Sequence, residues 1–222
     1  KQAIAANKAL AELRCSGAWL PNQGIFIQAL TLQEAKLSSE IESIVTTHDD
    51  LYRAFSSTMP SASPQTKEVL HYKEALWHGF EHIVSKQLPI STNLIEELCK
   101  IVKQLDGGIR KTTGTKLKNP QTGEIVYTPP EGENVIRGLL ANLEIFINTN
   151  DLDDLDPLVK LAVMHYQFEA IHPFGDGNGR VGRILNILFL VHHQLLDIPV
   201  LYLSKYIIEN KNDYYKNIRR VT

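Results

Sequence analysis

His172, Asp176, Arg180 and Arg183 fall within one stretch, Ile171-His172-Pro173-Phe174-Gly175-Asp176-Gly177-Asn178-Gly179-Arg180-Val181-Gly182-Arg183. An imidazole of ordinary pKa can be neutral, and so basic, at cellular pH. A carboxylate such as Asp176 is a hard oxygen ligand, and magnesium usually takes one or two of these plus substrate phosphates. Arginine forks match phosphate oxygens. Gly175, Gly177 and Gly179 alternate, which lets a backbone take unusual angles and lets a ligand come close. A base, a metal ligand, an anion loop and two arginines so near each other point to phosphoryl or nucleotidyl transfer, where positioning and electrostatics do most of the catalysis.

Two helices must hold this stretch. One, predicted over residues 157–170 and opened by Pro157, runs into it. Another, over 180–194, is very apolar and runs out of it. Pro173 disfavours helical geometry at His172, which places His172 in a loop. The loop feeds a helix N-terminus, where free N–H groups and the helix dipole favour anions. Arg180 and Arg183 are three apart and share a face. Cations there are unfavourable for the helix alone, so an anion such as a polyphosphate should offset them. Gly177 to Gly182 also matches the dinucleotide fingerprint, but that motif must follow a strand. The run Asp151 to Asp156 is no calcium loop, because Leu155 stands at a ligand position; it reads as a solvated linker.

The rest of the chain is read as helical at 2–14, 31–45, Pro64 to about Lys86, Asn93 (with Glu96 as a capping pair) to Leu105, 135–147 and 204–220. Leu20 to Gly24 reads as a turn, and Asp106-Gly107-Gly108 closes a helix. Residues 109–128 favour strands, with Asn119 to Gly123 as a turn, giving a short β-hairpin that Pro129-Pro130 stops. The fold class is all-α, a helical bundle with one small hairpin. The 222 residues carry 23 Lys plus Arg against 25 Asp plus Glu. That balance argues against broad nucleic-acid binding. No apolar run approaches the roughly 18 residues of a membrane span. Cys15 and Cys99 form no disulfide framework and fit a reducing, cytoplasmic setting. His78 and His82 are four apart, but no glutamate follows His78 as a zincin needs. The start at Lys1 and a helix-like end read as a fragment of a longer chain.

The stretch resembles the signature of the Fic (filamentation induced by cAMP) family, H-x-F-x-[D/E]-G-N-G-R-x-x-R. Its fixed positions are filled by His172, Phe174, Asp176, Gly177, Asn178, Gly179, Arg180 and Arg183. The resemblance implies the Fic fold and transfer of AMP from ATP to a hydroxyl of a target protein, itself included. It makes His172 the base and Asp176 the holder of Mg2+ on the phosphates. It makes Gly177, Asn178 and Gly179 the anion hole, Gly175 a further nucleotide-binding residue, Arg180 and Arg183 phosphate contacts, and Phe174 an apolar anchor. Tyr214, in Asp213-Tyr214-Tyr215, matches a tyrosine pair near the nucleotide; packing on the core is its alternative. The hairpin, around Glu124 to Thr128, occupies the place of the flap that aligns the target segment by β-augmentation.

Ser38-Ser39-Glu40-Ile41-Glu42-Ser43 is similar to the family's inhibitory helix, [S/T]-x-x-x-E-[G/N], through Ser38 and Glu42; Ser43 departs from it. The resemblance implies that Glu42 pairs with Arg183 and occupies the guanidinium fork a γ-phosphate needs. The expected organisation is residues 1–105 as a helical region carrying this motif and 106–222 as the Fic core with its flap. A C-terminal winged-helix domain often follows in similar proteins. Removal of AMP, transfer of another phosphate-containing group, and a non-catalytic ATP-binding regulatory module stay open as alternatives, and a homodimer is a candidate assembly.

Overall fold

The computed structural model describes residues 1–16, 23–56, 62–105, 108–119, 122–149 and 155–221. Among them the elements are α1 (Gln2–Ser16), α2 (Gln23–Ile41), α3 (His48–Ser56), α4 (Pro64–Val84), α5 (Thr92–Lys103), β1 (Leu117–Lys118), β2 (Ile125–Tyr127), α6 (Glu133–Asn148), α7 (Pro157–Ile171), α8 (Asn178–His192), α9 (Leu203–Glu209) and α10 (Lys211–Val221). The run from Val181 to Val191 has no polar side other than Arg183 and Asn186, and it forms the central helix: every residue of that run in α8 is buried. A helix apolar on all sides must be surrounded, and α4, α5 and α7 pack around α8, with α6 outside α7. Helix α2 lies across α4, α8 and α9. A Cβ on Gly79 would overlap the Leu188 side chain, so the bare glycine sets how closely α4 approaches α8.

Local chemistry sets the helix starts. Ser63 caps α4, accepting from the Thr66 N–H at 3.1 Å, with Pro64 in the first turn. Asp156 caps α7 by accepting from the Leu158 N–H at 2.8 Å. The cap of α5 lies two residues before the expected Asn93, because Ser91 accepts from the Leu94 N–H at 3.2 Å. It ends at Lys103, with Gln104 left-handed; Asp106 and Gly107 lie outside the described residues, as do Leu20 to Asn22, while Gln23 and Gly24 already belong to α2. The expected helix over 31–45 starts earlier and stops at Ile41. The expected single helix over 204–220 is two, α9 and α10, broken at Asn210.

The hairpin is antiparallel, with Leu117 opposite Tyr127 and Lys118 opposite Ile125. Its turn closes through the Asn119 N–H to the Glu124 carbonyl at 2.8 Å. Gly123 there has φ +70°, a conformation glycine adopts freely. Residues 151–154 of the acidic run fall outside the described residues.

Candidate active site

Helix α7 ends at Ile171, and His172 follows in the left-handed conformation (φ 49°, ψ 58°), its N–H bonded to the Phe168 carbonyl at 3.1 Å. Arg110 holds this turn: Nε donates to the His172 carbonyl at 2.7 Å, and its backbone N–H to the Pro173 carbonyl at 2.8 Å. The His172 ring faces the cleft, and its Nδ1 is buried without a partner among the described residues. Burial and the Arg110 charge hold the imidazole below its ordinary pKa, against the pull of Glu42, the Glu169 backbone and Asp176. It is therefore neutral at neutral pH.

Phe174 is 1% exposed and fastens the loop into the core. The Asn178 side chain closes the loop, Oδ1 accepting from the Phe174 N–H at 2.9 Å and Nδ2 donating to the Phe174 carbonyl at 2.7 Å. Gly177, at φ +85°, turns the chain into α8; a side chain there would be strained. The first turn of α8 leaves the N–H groups of Asn178, Gly179 and Arg180 without acceptors inside the helix, which is what an anion would use. Gly175 is in open space and has no positive φ, so freedom of its backbone is not what the loop needs from it.

Asp176 accepts from the Gly177 N–H at 2.6 Å and pairs with Lys103 Nζ at 2.5 Å. Partial burial works against its charge, but Lys103, the Gly177 N–H and Arg180 outweigh that and hold the carboxyl below the ordinary range. An ionised, largely exposed carboxylate of this kind fits magnesium shared with phosphates. Arg180 goes elsewhere than Arg183: fully buried, it pairs with Glu68 Oε2 at 2.5 Å and lies 3.8 Å from Asp176. Neither Asp176 nor Arg180 lines the cleft that holds His172.

Arg183 reaches the end of α2. Nε donates to Ser38 Oγ at 2.7 Å, and NH2 donates to the Ser38 carbonyl at 2.8 Å and to Glu42 Oε1 at 2.9 Å. Glu42 is the C-cap residue of α2. The Ser43 N–H bonds to the Glu40 carbonyl at 2.9 Å and the Ile44 N–H to the Ser39 carbonyl at 3.0 Å, with Ser43 at φ +66°. This is the Schellman arrangement. It explains why the inhibitory pattern has Gly or Asn where this chain has Ser43: both tolerate the left-handed region. Lys211 also closes this end, donating to the Ile41 carbonyl at 2.8 Å. A Cβ on Gly179 would overlap Glu42 Oε1, so the carboxylate sits directly on the first turn of α8.

The cleft, of about 570 Å³, is lined by Glu42, His172, Gly179 and Arg183, by Tyr214 and Tyr215 of α10, and by Leu117, Val126 and Tyr127 of the hairpin. Tyr214 is both packed and at the site. Asn186 Nδ2 meets His165 Nδ1 at 3.2 Å, which leaves Nε2–H to donate to Tyr214 Oη at 2.6 Å. Burial lowers the His165 pKa to about 4, so that ring stays neutral. Glu169 also lines the cleft; its Oε1 is buried without a partner among the described residues, and burial pushes its carboxyl up to about 7.

Sequence reasoning missed Arg110, Lys103, Glu68 and Glu169. Each reaches the site through tertiary folding, and only Glu169, one turn before His172, carried a positional signal. His78 belongs to no metal cluster; it pairs with Glu97 at 2.9 Å, and among the described residues no group of three or more His, Cys, Asp or Glu is placed to hold a metal. Cys99 is buried, and its thiol is pushed up to about 12 by burial.

Comparison with known proteins places the family and the fold. Residues 1–81 match the Fic/DOC family N-terminal model, and residues 89–190 match the Fic/DOC family model. A probable protein adenylyltransferase of Aquifex aeolicus is 27% identical over 186 residues, covering 82% of this chain and 54% of that protein. A protein adenylyltransferase Fic of Nematostella vectensis is 24% identical over 153 residues, 69% of this chain and 34% of its own length. The chain thus spans about half the length of the first relative and less of the second. A crystal structure of a Fic family protein from Desulfovibrio desulfuricans superposes with a TM-score of 0.74 at 20% identity, over 98% of this chain and 66% of that one. Fic-1 of C. elegans superposes with a TM-score of 0.73 at 20% identity, over 97% and 63%. With both models matched in order along the sequence and the same fold recurring, the chain belongs to the Fic/DOC family.

Proposed function

We propose that this chain transfers AMP from ATP to a hydroxyl side chain of a target protein, and that Glu42 restrains it. The observation that supports the reading most is one cleft containing a neutral imidazole (His172), the first turn of α8 and the Arg183 fork. Proteins named as adenylyltransferases among its relatives support it too. In this reading the target hydroxyl oxygen attacks the α-phosphorus while His172 takes its proton. The new bond joins that oxygen to phosphorus, the bond to the β-phosphate bridge breaks, and pyrophosphate leaves. The free N–H groups at the start of α8 stabilise charge on the phosphates, and Arg183 holds the terminal one. Asp176 would hold Mg2+, which supplies positive charge against the phosphates when bound. The hairpin, whose Leu117, Lys118, Val126 and Tyr127 line the cleft, receives an extended target segment by strand addition.

Glu42 restrains the reaction because it already occupies the arginine fork. A carboxylate and a phosphate oxygen compete for the same donors. The test uses ATP labelled at its α-phosphate, with magnesium and a cell extract. The expected outcome is weak labelling of protein by the unmodified chain, strong labelling by Glu42→Gly, and none by Glu42→Gly combined with His172→Ala. Equal labelling with and without Glu42 overturns the restraint; no label in any lane overturns AMP transfer and leaves AMP removal or ATP binding alone. The acidic limb of the pH–rate profile is expected below pH 6.5, since His172 is held below its ordinary value.

A further inference from the structure

The residue that fixes His172 is not in the signature. Arg110 is 5% exposed and lies just ahead of the hairpin. Its guanidinium meets three carbonyls: His172 at 2.7 Å, Ile171 at 3.4 Å and Pro130. Two of these, Ile171 and the capping residue His172, stand at the C-terminal end of α7, where carbonyls have no partner inside the helix and attract a cation. The third, Pro130, lies just past the far end of the hairpin. Residues 110 and 130 thus bracket the hairpin, and one side chain ties both ends of that excursion to the turn carrying His172. The backbone adds to this, as the Arg110 N–H donates to the Pro173 carbonyl at 2.8 Å. The turn needs such support, because His172 sits in the left-handed region that a non-glycine residue disfavours.

We propose that Arg110 is the positioning residue of the catalytic turn: it holds His172 in its left-handed conformation and makes the base of the hairpin rigid with it. The proposal rests on His172 acting as the base. Substrate docked on the hairpin is then registered against the base through one buried side chain. Other groups around the ring do not duplicate this. Glu42, the Glu169 backbone and Asp176 act on its charge in the opposite sense to Arg110, and Arg183 and Tyr127 share its cleft.

The test compares Arg110→Lys and Arg110→Gln in the Glu42→Gly chain. Lysine keeps the charge but has no planar fork for three carbonyls. Both are expected to lower kcat by about 10- to 100-fold with KM for ATP unchanged, the pattern of a misplaced base. The His172 ring, followed by NMR and assigned against His172→Ala, is expected to titrate higher in Arg110→Gln and to stay low in Arg110→Lys. A folded Arg110→Gln whose His172 titrates as in the parent overturns the proposal, as does a parent-like kcat in Arg110→Lys. If Arg110→Gln does not fold, Arg110→Lys decides alone. Should Glu42→Gly itself show no transfer, the AMP-transfer reading fails, and the His172 titration still judges Arg110.

Discussion

Glu169 shows how one buried carboxyl can set a pH dependence. Its ordinary value is 4.5, and in the folded chain it is pushed up to about 7 by burial, with Arg183 opposing and Glu42 reinforcing the rise. Between these values the folded state holds a proton that the unfolded state has lost. Stability from this group is therefore complete below about pH 4.5 and is lost as pH rises to about 7. Glu169→Gln removes the penalty. It is expected to match the parent near pH 4 and to exceed it by on the order of 2–3 kcal/mol at pH 8, measured by urea unfolding across pH. A constant difference at all pH values would show that the carboxyl does not titrate in that window. Proximity links this to the restraint: ionised Glu169 repels Glu42 and attracts Arg183.

At the scale of the element, the end of α2 decides where Glu42 points. The Schellman bonds put Ser43 at φ +66°, where a side chain is strained. Ser43→Gly is expected to stabilise the chain by about 0.5–1 kcal/mol and to weaken labelling from ATP further, because a better-formed cap holds Glu42 more firmly on Arg183. A lower Tm, or stronger labelling, would contradict this. The helices with long apolar stripes were legible in the sequence, as was the hairpin between Asp106 and Pro130. Helix α3 was not: it runs only from His48 to Ser56, and among its described side chains Leu51 alone is fully buried, too short a pattern to stand out. Its signal was the cap, Thr47 Oγ1 accepting from the Asp50 N–H at 3.1 Å. The start of α5 was misplaced because Asn93 mimics a cap that Ser91 makes. The signature residues were legible because one loop carries them; Arg110, Lys103 and Glu68 were not, since nothing local ties them to positions 172–183.

Across the whole molecule, the proposed halves 1–105 and 106–222 meet in one apolar interior. Leu32 and Ala35 of α2 belong to the same buried cluster as Leu76 of α4 and Val181, Ile184, Leu185 and Leu188 of α8. A second tie is polar: buried Glu34 accepts from the Ser204 N–H at 2.9 Å and from Tyr72 at 3.3 Å, joining α2, α4 and the start of α9. The division is thus proposed as one of role rather than of folding. Urea unfolding followed by far-UV circular dichroism and by tryptophan fluorescence is expected to give one coincident transition; two separate transitions would make the halves independent folding units.

The partners Glu42 and Arg183 stand 141 residues apart in the chain. A ribosome adds residues at roughly 5–20 per second, so the carboxylate waits for several seconds before its guanidinium exists. Under the proposed restraint, the carboxylate is already in the chain when the guanidinium it pairs with is made, so the two can meet as soon as α8 packs against α2. On that proposal the restrained form is the one that folding delivers first, and release is a later event.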